Sequence, residues 1–177
     1  QIGGSATIVN QAIHFIVTDL LTSLLFAFAL ITLLMGLLMR SARVGLAAMV
    51  PNVIPLVLTM AVMVVAGIHL RISTVITFAM CMGIVVDDSI HFLVRWREEQ
   101  GRSTNDEEGM IQTIRFAGRP VIFTTVMLAT GFAVLITSTF RGLHDFGVLA
   151  VITIALALVA DLLILPALLL GAKRRPQ

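Results

Sequence analysis

The sequence predicts an all-α polytopic membrane helix bundle with five transmembrane helices, its N-terminus outside and its C-terminus cytoplasmic. Three observations carry this. Of 177 residues, 58% are hydrophobic and only 12% charged, where globular chains carry about 25% charge. Five charge-poor runs are each long enough to cross the ~30 Å hydrocarbon layer. The cations, sorted by the side on which each connection falls, lie almost all on one side.

The spans read Leu20–Met39, Val44–Ile68, Ile72–Val94, Pro120–Phe140 and Phe146–Ala172. Their apolar runs are continuous and do not alternate, which points to helices rather than barrel strands. One side receives Arg40, Arg43, Arg95, Arg97, Arg102, Arg115, Arg119, Lys173, Arg174 and Arg175, and the other only Arg71 and Arg141. Cytoplasmic loops keep such an excess, so the tail from Lys173 is inside. The net charge of +2 therefore reflects topology anchors, and nucleic acid is not an expected partner. Disorder is excluded because too little of the chain prefers water. A disulfide framework is excluded because Cys81 is the only cysteine.

Between spans three and four lies the one long loop. There Ser103 and Thr104 precede Asp106, Glu107 and Glu108, an N-terminal helix signature. Met110, Ile111 and Ile114 then share a face, so a short interfacial helix is expected over about 105–117, with Pro120 opening the next span. Trp96 stands at the depth of an interfacial aromatic. Pro51, Pro55 and Pro166 mark kinks within spans two and five.

Asp87, Asp88 and Asp161 are the charges inside the spans. A carboxylate at mid-bilayer costs about 2.5–3.5 kcal/mol even on lenient scales. Asp87 stands eight residues before Arg95, and Asp161 twelve before Lys173. Those spacings give depths of roughly 12 and 18 Å. His91 lies four residues after Asp87 and three after Asp88, within reach of either. An apolar setting disfavours the charged form of a carboxyl, and a neighbouring carboxylate disfavours it further. Asp87, Asp88 and His91 thus suit a proton relay, the alternative being a bond that holds helices together. Thr124, Thr125, Thr130 and Asp161 are candidate partners. Hydroxyls in membrane helices often bond only their own backbone. Ala79 and Gly83, four apart, offer a small face for close packing that would bury the Asp-bearing helix centrally. No metal-ligand spacing, nucleophile–base pair or phosphate loop is present, so neither catalysis nor a metal site is expected, and no cofactor beyond protons as coupling ion.

The stretch GIVVDDSIHFLVRWREE (Gly83–Glu99) resembles the fourth-helix motif of the resistance–nodulation–division (RND) superfamily, closest to its MMPL-type branch of predicted hydrophobe and lipid exporters. VPNVIP (Val50–Pro55), GRPVIFTTVMLATGF (Gly118–Phe132) and FGVLAVITIALALVADLLILPALLL (Phe146–Leu170) follow in family order. The resemblance implies two repeat halves of six helices, each with a large extracytoplasmic domain after its first helix. The chain then matches helices two to six of one half. Residues 1–15 would be the tail of a missing extracytoplasmic domain, 16–172 the transmembrane domain and 173–177 a basic cytoplasmic tail. That tail suggests the second half, with a truncated first half as the alternative.

In that family the Asp pair couples export to protons, a role Asp87 and Asp88 inherit. The intramembrane lysine of the drug-efflux branch is absent here. The function expected is one half of a proton-driven secondary transporter that exports hydrophobic or lipid-like substrates across the bacterial cytoplasmic membrane. Its partners would be the bilayer, the other half with its extracytoplasmic domains, the lipid-like substrate, and further copies in a homo-oligomer. The alternatives are a sterol-sensing-type lipid-binding module or a protein-translocation accessory of similar plan.

Overall fold

A computed structural model describes residues 2–69, 71–102 and 105–173. The helices are α1 (Ile2–Met39), α2 (Ala42–Val65), α3 (Ile72–Gln100), α4 (Asp106–Leu135), α5 (Arg141–Val159) and α6 (Leu165–Lys173), with a π-helical turn over Ala160–Ile164 joining the last two. The α5–π–α6 unit runs as one span, so among the described residues five helices are long and apolar enough to cross a membrane. No strand occurs among the described residues.

Local chemistry sets the connections. After α1, Arg40 takes φ 49°, and the Ser41 hydroxyl accepts from Val44 N as the α2 cap. Gly67, at φ 65°, ends α2 in a conformation that L side chains resist. Ile68 N then donates to Met63 O and Gly67 N to Val64 O, which satisfies carbonyls left open at the helix end. At the start of α3, Thr74 Oγ1 accepts from Arg71 N and donates to Arg71 O, both at 2.8 Å.

α2, α3 and the α5–π–α6 unit pack together, α1 lies against α2 and α3, and α4 against α3 and α5. The larger core joins Met35, Met49, Met82, Phe92, Leu93, Trp96, Met110, Leu165 and Leu169. α1 contains 38 residues, roughly 57 Å at 1.5 Å each, and it passes residue 15 without a break.

Four expectations need correcting. The interfacial helix at 105–117 is not separate: α4 runs unbroken through Pro120. Its buried face, Gly109, Met110, Thr113, Ala117, Val121 and Thr125, keeps one helical period across the proline, and packing carries the helix past the lost backbone bond. Ile111 and Ile114 point away from that face and are exposed. Asn105 is the cap, accepting from Glu107 N; Ser103 and Thr104 lie outside the described residues. Trp96 is buried in the core rather than turned to an interface.

The fourth correction concerns Ala79 and Gly83. Both face outward, and a Cβ at Gly83 would meet nothing within 4 Å among the described residues. The close helix approaches lie elsewhere. A Cβ at Gly45 would stand 2.6 Å from Gly36 Cα, and one at Gly147 would stand 2.9 Å from Phe132 O. At Pro166 the distortion is the π turn just before it, where Leu165 N bonds Ala160 O. A proline ring crowds the carbonyl four residues back, and a widened turn relieves that crowding.

Candidate functional site

Successive helix positions turn by about 100°, so neighbours on α3 face different surroundings. Ser89 is buried against α2 and the π turn, Asp88 is half-buried, and Asp87 is exposed. The acid pair therefore does not face the bundle's own core. It opens into a cavity of about 740 Å³ between α3 and α4, on the outer side of the bundle.

One wall is α3. Asp87 and Asp88, then His91, then Arg95 follow one another about a turn apart along it. His91 Nε2 lies 3.8 Å from Asp87 Oδ1, with both side chains more than 70% exposed. Arg95 closes this column, 2.7 Å from Glu99 and with its guanidinium 4.9 Å from the Phe116 ring centre on α4. The α4 wall is largely apolar, formed by Phe116, Pro120, Val121, Met127 and Leu128, with Thr124 as its hydroxyl. The arrangement can hold an apolar molecule beside a column of titratable groups that leads toward the Arg-rich end.

Of the three threonines singled out in the sequence, only Thr124 reaches this cavity. Its hydroxyl bonds Pro120 O and Val121 O. Thr125 bonds Val121 O, and Thr130 bonds Val126 O and Met127 O. All three satisfy their own helix in this state. Asp161 does not join the acid pair either. It is buried at 1% exposure and lies 2.6 Å from Ser89 Oγ.

Two polar residues that sequence reasoning passed over complete the interior: Asn52, buried between Pro51 and Pro55, and Ser89 itself. A buried amide in a charge-free apolar span was the available signal, because such a group must find a partner. A second buried bond, Thr59 Oγ1 to Thr153 Oγ1 at 2.9 Å, ties α2 to α5.

The MMPL family model matches residues 1–177, the whole chain. The chain belongs to the MMPL family. This MMPL chain is similar to the hopanoid transporter HpnN of Burkholderia multivorans, 29% identical over 136 residues, which cover 77% of the chain and 16% of that protein. It is also similar to the hopanoid transporter HpnN of Rhodopseudomonas palustris, 24% identical over 139 residues, 78% of the chain and again 16% of the relative. The MMPL chain thus spans about a sixth of the length of these curated relatives. No solved structure matches it. Family and fold together make it an integral, multi-pass membrane protein.

Proposed function

We propose that this chain is the transmembrane half of a proton-driven RND-superfamily secondary transporter that exports hydrophobic or lipid-like molecules. The observation that carries the reading is the α3–α4 cavity. It sets an apolar wall opposite Asp87, Asp88, His91 and Arg95. The relatives' name, hopanoid transporter, supports a lipid-like substrate.

Asp87 and Asp88 exchange the proton, and His91 extends their reach toward the Arg-rich end. That end is cytoplasmic by the cation asymmetry, in a bacterial inner membrane. Protons are the coupling ion, and the chain performs no covalent catalysis. An exposed carboxylate at this depth costs free energy against lipid, so a second helical bundle, the other half of the transporter, covers the α3–α4 face.

The test is export of a hopanoid from proteoliposomes of the full-length protein, with and without an imposed proton gradient. Asp87→Asn and Asp88→Asn should each lose the gradient-dependent component. Unchanged gradient-driven export in both would remove the proton role. The apolar α4 wall also favours a second reading, a lipid-binding regulatory module. Saturable lipid binding without any export would select that one.

A further inference from the structure

Away from the acid pair, three buried side chains from three elements meet in a short chain of bonds. Ser89 Oγ on α3 lies 2.7 Å from Asn52 Oδ1 on α2 and 2.6 Å from Asp161 Oδ1 in the π turn. Asn52 Nδ2 points at Ala48 O, 3.4 Å away. Asp161 Oδ2 is buried and has no partner among the described residues. The two short contacts are hydrogen-bond distances and leave no space for a cation between the oxygens.

The protons can be counted. A serine hydroxyl has one, so Ser89 cannot be the donor in two bonds as short as these. If Asp161 is a neutral acid, it donates to Ser89, Ser89 donates to Asn52 Oδ1, and Asn52 Nδ2 donates to Ala48 O. Every short contact then has its proton, and the unpartnered Oδ2 belongs to an uncharged group. If Asp161 is ionised, Ser89 must turn to it. Asn52 then faces Ser89 with an unbonded oxygen, or rotates and sets that oxygen against Ala48 O, acceptor against acceptor. A charged oxygen, Oδ2, is also left buried and unpaired, which is costly in an interior.

We propose that Asp161, Ser89 and Asn52 form a second proton-binding site: Asp161 holds a proton and donates it in a hydrogen bond to Ser89, and release of that proton swings the Ser89 hydroxyl to Asp161, breaks its bond to Asn52 and unlatches α2 from α3. Asn52 is placed to transmit this because it sits between Pro51 and Pro55. Neither proline has an N–H, so two backbone bonds that would stiffen α2 are missing there. The π turn under Asp161 is the matching irregularity on the other side.

Few titratable groups surround the site. Asp87, exposed, and Asp88, half-buried, precede Ser89 on α3, and His91, exposed, follows it. Cys81 lies about two turns away on α3, against Thr153. No titratable side chain occurs on α2 between Val44 and Val65, on α4 between Pro120 and Leu135, or elsewhere between Phe146 and Leu170.

Infrared spectra of the full-length protein in liposomes at neutral pH test this without any transport readout, so the outcome is independent of the role proposed for Asp87 and Asp88. The wild type should show a protonated-carboxyl band that Asp161→Asn removes and that Ser89→Ala shifts, because the acceptor is lost. Asn52→Leu should weaken the band at the same pH, since Ser89's proton can then turn to an ionised Asp161. A band set identical in wild type and D161N overturns the proton on Asp161. An unshifted band in S89A overturns the bond, and S89A needs no change at the acid itself. An unchanged band in N52L overturns the link to α2.

Discussion

Gly45→Ala places a methyl group where α1 and α2 touch backbone to backbone. The added Cβ would lie 2.6 Å from Gly36 Cα and 2.7 Å from Gly36 N, which is 0.8 and 0.7 Å inside the 3.4 Å where ordinary contact begins. Neither obstacle is the end of a flexible side chain, so the two helices must separate. Overpacking of this kind costs about 1–3 kcal/mol. Alanine also gains helix propensity over glycine, about 0.8–1 kcal/mol, which offsets part of that.

Gly83→Ala isolates the clash. It receives the same propensity gain, yet its Cβ meets nothing within 4 Å. The difference between the two variants should therefore be about 1–3 kcal/mol, with G83A the more stable. Detergent-unfolding titrations of the full-length protein in mixed micelles measure it. Equal midpoints for G45A and G83A would refute the packing argument and with it the tight α1–α2 seam.

Three further outcomes are expected. Thr59→Val breaks the 2.9 Å bond to Thr153, but Thr153 keeps its bond to Leu149 O. A double-mutant cycle with Thr153→Val should give a coupling near 0.6 kcal/mol, the average for membrane pairs; a coupling near zero would remove the bond from the account. Arg95→Gln leaves the nearly buried Glu99 without its 2.7 Å partner. Its cost should approach about 3 kcal/mol, and Glu99→Gln in the same chain should recover most of it; a double variant no better than R95Q contradicts the pairing. Single cysteines at Arg40 and Arg71 should label from opposite sides of the membrane, with Cys81, at 1% exposure, silent in the background. Labelling from one side overturns the five-span path.

Much of the fold is legible because hydrocarbon imposes a coarse rule. A span is a long run without charge, and its ends are where Arg40, Arg71 or Arg95 reappear. Asp87, Asp88 and Asp161 stand out by the same rule, since each breaks such a run. What escapes it depends on which helix faces meet. Asn52 and Ser89 are uncharged, so neither interrupts the hydropathy, and their bond spans 37 positions. Asp161 reads as a companion of the acid pair by depth, yet helix rotation turns it to Ser89. The small pair Ala79 and Gly83 has the right spacing for close packing, but the approach forms at Gly45 and Gly147, where neighbouring helices are held together by short turns. The π turn before Pro166 depends on backbone accommodation that no periodicity announces.

The central claim is that the acids on the outer face of α3 carry protons during transport. The direct measurement is proton movement itself, read by a pH-sensitive dye inside proteoliposomes of the full-length protein when a hopanoid is supplied. Substrate-dependent proton flux should be present in the wild type and lost in both Asp87→Asn and Asp88→Asn. Flux of wild-type size in both variants would contradict the account.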